Sequence, residues 1–398
     1  MITVQEALDI ILSKTRDFGT ETIELSNALG RLLAHDIVAD RDYPPFDRVT
    51  MDGIAIDYES YEKGARTFLI EGVAAAGSSF ATLDDNQHCI EVMTGAGVPH
   101  GCNTVIRYED LTIDEEQRIA TISDGVNIKA KQNVHFQGSD KKAGTMILKK
   151  GMALRPAEIG IAASLGCSNL KVHAIPKLAI ISTGDELVDI TVKPLPYQIR
   201  KSNVYTIQSI LRTYGINASL YHLIDDQTVI ADTVEKLLAS YDVLILSGGV
   251  SKGKFDFIPR VMDELGVVTA FHKIKQRPGK PFWFGYTDNN IVFALPGNPV
   301  SSFVCTKKYI ESWLRQSLGI QPKQAYAILN EKVEFNPDLH YFLEVGISYT
   351  NDGRLLAHPQ KSNGSGDFVN LTRAQAFIEL PRGKNRFESG ECYPIIFI

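Results

Sequence analysis

Between residue 176 and about 320 the chain alternates short apolar runs with longer stretches in which apolar positions recur every three or four residues. The runs are Leu178–Ser182, Ser219–Leu223, Val243–Ser247 and Ile291–Leu295, each short enough for a strand. Helical spacing covers Asn203–Tyr214, closed by Gly215, and Val229–Tyr241, which puts Ile230, Val234, Leu237, Leu238 and Tyr241 on one face. Phe257–Leu265 and the long stretch Val300–Leu318 complete the set. Repeated strand–helix units with apolar strands predict a doubly wound parallel sheet covered on both faces.

The flanks read differently. Val4, Leu8, Ile11 and Leu12 recur at helical spacing behind a Thr3/Glu6 capping box, and Ser26–Ala34 reads as a second helix. Beyond the turn-rich stretch Asp42–Asp47, residues 47–140 break into short β-type runs separated by Gly, Asn and Asp. Thr67–Glu71, Cys89–Met93, Thr104–Tyr108 and Ile119–Ile122 are examples, and they predict a β-rich domain. Helix returns at Ala157–Leu165, with Pro156 near its start and Gly166 as its stop. The tail, 321–398, is again β-rich with Pro and Gly turns and predicts a small separate barrel.

Composition narrows the class. The 398 residues are 44% hydrophobic and 22% charged, which suits several packed cores and excludes a disordered chain. Lys and Arg total 41 against 47 acidic residues, a net charge of −6 that argues against general nucleic-acid binding. Five scattered cysteines with no C-x-x-C pair give neither a disulfide framework nor a zinc site and fit a reducing compartment. The N-terminus has no basic n-region or small-residue cleavage site. No apolar run approaches the ~18–20 residues of a membrane span. A soluble, cytoplasmic, multidomain protein is expected, with no membrane and no nucleic-acid partner.

Candidate chemistry gathers where an open parallel sheet binds ligands, beyond the carboxyl ends of its strands. After the first strand comes Thr183-Gly184-Asp185-Glu186, after the second Ile224-Asp225-Asp226, and after the third the glycine loop Ser247-Gly248-Gly249-Val250-Ser251 running on to Asp256. Arg277-Pro-Gly-Lys280-Pro281 precedes the last strand, and Pro296-Gly297-Asn298-Pro299-Val300-Ser301-Ser302 follows it. The glycines let backbone N–H groups approach a phosphate, although each loop taken singly is also an ordinary tight turn. The glycine loop is neither a P-loop nor a G-x-G-x-x-G fingerprint. Two cations on a proline-bracketed loop suit an oxyanion. Glu186, Asp225, Asp226 and Asp256 could share a rim with phosphate only through a cation, and oxygen-only ligands imply Mg²⁺. Phosphoryl or adenylyl chemistry is therefore expected. In the β-rich region, Thr50-Met51-Asp52-Gly53 and Met93-Thr94-Gly95-Ala96 read alone as turns, and the dispersed histidines form no metal-binding pair.

Taken together and in order, these motifs, with Phe46-Asp47 and Met51-Asp-Gly-Ile-Ala55, resemble the molybdopterin molybdenumtransferase family, to which the E domain of gephyrin is related. The resemblance runs from about residue 4 to 382. It implies an elongated homodimer of four-part subunits: a linker domain from 1–40 and 142–175, a β-rich insertion domain at 41–141, an α/β molybdopterin-binding domain at 176–320 and a C-terminal β-barrel at 321–398. It implies an active site shared between subunits, to which Asp52, Thr94 and Asp140 contribute from outside the α/β domain. The implied reaction takes adenylylated molybdopterin and molybdate with Mg²⁺ to molybdenum cofactor and AMP. Thr183, Gly184, Asp226, the loop Ser247–Ser251 and Pro296–Pro299 would bind the pterin substrate, and Glu186, Asp225 and Asp256 the Mg²⁺. Arg277, Lys280, Ser301 and Ser365 would hold molybdate. The adenylyltransferase of the preceding step and the molybdoenzymes that accept the cofactor are the implied partners. Two departures stand out: the family's usual Lys-Pro-Gly-Lys is Arg277-Pro-Gly-Lys280, and Glu344 falls where the family commonly has an arginine. The alternatives are the adenylyltransferase activity itself, or a non-enzymatic pterin-binding or scaffold dimer.

Overall fold

The computed structural model describes residues 1–250, 257–320, 324–361, 364 and 366–398. By compactness they fall into two units, one of residues 1–34, 151–159 and 168–398 and the other of 35–150 with 160–167.

The first unit is organised by the apolar runs. In chain order its central elements are Leu178–Thr183 (β1), Asn203–Arg212 (α1), Ser219–Leu223 (β2), Gln227–Ser240 (α2), Val243–Ser247 (β3), Ile258–Glu264 (α3), Val268–His272 (β4), Trp283–Tyr286 (β5), Ile291–Leu295 (β6) and Pro299–Cys305 (α4). The strands form one sheet in the order β2-β1-β3-β6-β5-β4. Successive side chains of a strand point to opposite faces, so an apolar run must be covered twice. Ile180, Ile245 and Phe293 pack with Val204, Ile207 and Val304 from α1 and α4. Ile181, Leu246 and Ala294 pack on the other side with Ile230, Val234 and Val261 from α2 and α3. Each of the Val, Leu, Ile and Phe side chains removed from water is worth roughly 1.5–3 kcal/mol.

The sheet departs from all-parallel in one strand, β5, which runs against both β4 and β6. Its link to β6 is the short turn Thr287–Asn290, closed by Thr287 N–H donating to Asn290 O at 3.0 Å, and a connection of that length can only be a hairpin. A second correction falls near the N-terminus. Ser26–Ala34 is not a helix; only Leu25–Asn27 makes a 3₁₀ turn. The Leu33 N–H donates to Met152 O at 3.0 Å and Leu33 O accepts from Gly151 N at 2.7 Å, so the backbone pairs across the chain instead of with itself. Thr20–Glu24 pairs with Asn169–His173 in the same region. The N-terminal helix, Val4–Leu12, carries the expected Thr3/Glu6 capping box.

The tail closes on itself. His340–Tyr349, Leu355–Pro359, Ala325–Leu329, Cys392–Phe397 and Ala376–Leu380 are each paired to the next, and the last returns to the first, giving a five-stranded barrel. A two-residue strand, Gln276–Arg277, joins its edge by pairing with His340 and Tyr341.

The second unit is built on a six-stranded sheet in which Gly53–Ile56 lies between Thr104–Arg107 and His88–Val92, followed by Thr67–Ala74, Ile119–Ile122 and Leu111–Asp114. Ile54, Phe68 and Ile106 fill one face, Ala55, Ile90 and Val105 the other.

Candidate active site

Parallel register lines up the strand ends of the α/β sheet. Thr183 pairs with Leu223, Ser182 with Ser247, and Ser247 with Leu295, so the loops that follow β1, β2, β3 and β6 emerge on one edge. The chain turns left from β1 to β2 and then returns to build rightwards from β3, and the gap at such a switch is where open sheets take ligands. A cleft of about 490 Å³ occupies it, lined by Thr183, Gly184, Glu186, Asp225, Ser247, Gly248, Gly249, Val250 and Pro296–Pro299 among others. Gly248 has φ +105°, and a Cβ there would lie 2.8 Å from both the carbonyl oxygen and Oγ1 of Thr183, so the two loops touch as only glycine allows. Thr183 is 4% exposed, and its buried hydroxyl has no hydrogen-bond partner among the described residues. A buried unpaired hydroxyl costs stability unless a ligand answers it.

Asp226 is held elsewhere: its carboxylate caps α2, accepting from the N–H groups of Thr228 at 2.9 Å and Val229 at 3.0 Å. The Asp185 carboxylate accepts from Asp225 N–H at 3.0 Å and ties the loops after β1 and β2. Ser251 and Asp256 lie outside the described residues, as does Ser365. Among the described residues no three of His, Cys, Asp and Glu converge into a ready metal cage. Glu186 and Asp225 share the cleft, and one or two carboxylates completed by phosphate oxygens and water is the usual provision for Mg²⁺.

The cleft also holds residues that the motif reading passed over. Arg200 and Lys201 line it, the second paired with Asp189 at 3.3 Å. Asn203, opening α1, donates from one side-chain nitrogen to Ser247 Oγ at 2.9 Å and Gly297 O at 2.8 Å, joining the β3 and β6 loops. Their signal was the Arg-Lys-Ser-Asn run just before a helix start. His222 is pushed below its ordinary pKa, by burial first and the Lys201 charge second, and it sits 3.0 Å from Ser182 Oγ.

Next to the cleft is a smaller pocket of about 50 Å³, walled by Arg277, Pro278 and Val300 on one side and by barrel residues Tyr341–Glu344 on the other. Pro281 and Pro299 line the cleft while Pro278 and Val300 line the pocket, so the same two loops border both. Lys280 is exposed on the Arg277 loop, and Ser301 is buried in the first turn of α4. Glu344 is 5% exposed and its Oε2 accepts from Asn370 Nδ2.

In the second unit, Asp52 Oδ1 accepts from Thr94 N–H at 2.6 Å, and that bond holds the Asp52 carboxyl below its usual pKa. Asp52 is fixed by its neighbour: a Cβ on Gly53 would stand 1.9 Å from Ile106 O. Asp140 Oδ1 lies 2.8 Å from His135 Nε2, and Arg48 Nη2 lies 3.3 Å from His135 Nδ1. His135 and Arg48 were not foreseen; they are opposite partners in a two-residue strand pair that carries no periodicity.

A rim of glycine- and proline-rich loops over a switch point, with a second pocket against a barrel, defines a ligand-binding α/β protein with appended domains. Three family descriptions match in order: "MoeA N-terminal region (domain I and II)" over residues 2–166, "Probable molybdopterin binding domain" over 179–316 and "MoeA C-terminal region (domain IV)" over 326–398. A molybdopterin molybdenumtransferase of Synechocystis sp. is 41% identical over 397 residues, covering 99% of each chain. One from Staphylococcus epidermidis is 31% identical, covering 99% of this chain and 95% of its own. A crystal structure of the molybdopterin biosynthesis protein MoeA from Pyrococcus horikoshii superposes with a TM-score of 0.78 at 28% identity over the whole of both chains. The chain belongs to the molybdopterin molybdenumtransferase (MoeA) family.

Proposed function

We propose that this protein inserts molybdenum from molybdate into adenylylated molybdopterin, with Mg²⁺, releasing AMP. The observation that carries the reading is the pairing of two adjoining sites of different character: a large, glycine-walled cleft with an unanswered Thr183 hydroxyl, and a small pocket bordered by Arg277. The backbone N–H groups of Gly249 and Val250 and the cations Arg200 and Lys201 suit the substrate's phosphates. Thr183 can donate to a phosphate or pterin oxygen. Arg277 and Lys280 offset the double charge of a tetrahedral oxyanion, with Ser301 and Ser365 as further donors. Glu186 and Asp225, with Asp256, are positioned in sequence to hold Mg²⁺. When bound, the cation supplies charge compensation to the phosphoanhydride that is broken.

We extend the reading to a homodimer of the four-part subunits set out above, with Asp52, Thr94 and Asp140 of one subunit serving the cleft of the other. A cytoplasmic location agrees with five free cysteines, and no described helix is long and apolar enough to cross a membrane. The test is turnover of adenylylated molybdopterin by the purified protein with Mg²⁺ and either molybdate or tungstate. Oxyanion-dependent AMP release with formation of mature cofactor is expected, and comparing the two anions gives the metal preference. Tight pterin binding with no oxyanion-dependent turnover would overturn the transferase reading and move a pterin carrier ahead.

A further inference from the structure

We infer that Gln276 and Tyr309 form a buried brace that fixes the Arg277–Lys280 loop in its oxyanion-binding shape, which makes both of them positioning residues for molybdate. The inference rests on the reading of that loop as the oxyanion site.

The local sequence dictates the arrangement. Gln276 and Arg277 are neighbours on a short strand, so their side chains take opposite directions, Arg277 exposed and Gln276 only 1% exposed. The loop that follows has prolines at 278 and 281, which cannot donate, and its carbonyls turn inward. Gln276 Nε2 donates to Pro278 O at 3.0 Å and to Gly279 O at 3.3 Å, while its Oε1 accepts from the Tyr309 hydroxyl. The amide therefore answers the loop with its nitrogen and the helix with its oxygen. There is no slack behind it. Gly279 has φ +88°, and a Cβ there would lie 2.7 Å from both Gln276 Nε2 and Cys305 Sγ.

Tyr309 is itself held. Its ring is wholly buried, with its centroid 5.1 Å from that of Phe282, so the hydroxyl has one position. Burial raises its pKa far above the ordinary range and keeps it a donor. Cys305, pushed up to about 12 by burial, stays a thiol. The nearby Glu379 carboxylate is neutralised by Lys308 Nζ at 2.7 and 2.8 Å. Tyr309 lies in a π turn, Thr306–Ile310, set within the otherwise α-helical stretch from Pro299 to Ser317, and such turns are rare and concentrate at functional sites. A leucine at 276 would fill the same space but leave the Tyr309 hydroxyl and the Pro278 and Gly279 carbonyls without this partner. A buried amide with every bond made instead specifies one geometry, and the geometry it specifies is that of the loop carrying Arg277 and Lys280.

The experiment is calorimetric titration of the full-length protein with molybdate, together with steady-state kinetics in which molybdate and adenylylated molybdopterin are varied separately. Tyr309→Phe, which keeps the ring, should weaken molybdate binding about fivefold, and Gln276→Leu about twentyfold. The KM for the pterin substrate and kcat at saturating molybdate should stay within about twofold. The double variant should bind molybdate no more weakly than Gln276→Leu alone, because Tyr309 reaches the loop only through Gln276. Unchanged molybdate affinity in folded Tyr309→Phe, with affinity lost in Arg277→Ala, would overturn the brace and leave the loop as the oxyanion site. Unchanged affinity in Arg277→Ala would remove the oxyanion reading itself. If Gln276→Leu does not fold, the ring-conserving Tyr309→Phe decides.

Discussion

At the scale of single residues, the cleft depends on side chains that tie one loop to another. Asn203 makes two such ties, to Ser247 Oγ and Gly297 O. Asn203→Ala should cost about 1–2 kcal/mol and let the loops after β3 and β6 separate. Pterin-substrate affinity should then fall about tenfold, which a fluorescence or calorimetric titration would register. Affinity equal to wild type would mean that the loops hold their positions without it. Asn203 also marks the limit of what a sequence discloses at this scale. Glycines and prolines at strand ends announce themselves, because few residue types can occupy such turns. Arg200, Lys201 and Asn203 do not, since most Lys, Arg and Asn are solvated surface and only the fold brings these into a cleft. Asp226 shows the converse: an acidic residue beside a candidate site whose Oδ1 caps a helix.

At the scale of elements, the strands β1, β2, β3 and β6 of the α/β sheet were legible to within one residue, because apolar runs bounded by Gly, Asp or Pro admit little else, whereas the edge strand β4, in which only Phe271 is buried, was missed. The reversed strand β5 was hidden by its length, four residues following directly on a proline loop. Ser26–Ala34 deceived for another reason, since its backbone finds partners at residues 151–154 that no local pattern reveals. The elements also bear two tests. Gly248→Ala would force a Cβ to within 2.8 Å of Thr183 and strain a left-handed backbone. A loss of about 1–3 kcal/mol and of pterin binding together is expected by thermal melting and titration. A stable variant with normal binding would show that the loops need not touch. The helix Pro156–Ser164 carries the second test. Glu158 accepts from Arg155 N–H and Nε, each at 3.0 Å, and these bonds hold its carboxyl down to about 2. A carboxyl depressed by folding stabilises fully above its ordinary range and loses that contribution as pH falls towards its folded value. The melting-temperature gap between wild type and Glu158→Gln should therefore be widest near neutral pH and shrink below about pH 4.5. A gap independent of pH would assign the effect to packing alone.

At the scale of the whole molecule, the proposed homodimer makes a prediction that no single subunit can mimic. Asp52→Ala and Glu186→Ala should each be inactive while folded. After subunit exchange, half the dimers are mixed and each contains one intact site of two, so about a quarter of wild-type AMP release should return. No recovery despite demonstrated exchange would place Asp52 and the cleft in the same subunit's site. The β-rich character of both flanking regions could be read from their short punctuated runs, and the barrel expected of the tail is there, but which strands close it could not be read. Closure depends on Ala376–Leu380 returning to His340–Tyr349, a pairing between distant segments.

The short strand Gln276–Arg277 leaves its own domain to pair with His340 and Tyr341, while Lys275 N–H donates to Ile2 O at 2.7 Å on the other side. The charged loop is thus sewn into the barrel before it returns to the sheet. For inheritance this means that the barrel is not a detachable module. A lineage that shed the residues beyond 320 would lose a wall of the pocket beside Arg277 with them, and a chimera that exchanged barrels between relatives would have to carry residues 276 and 277 along with the new barrel to keep the seam matched.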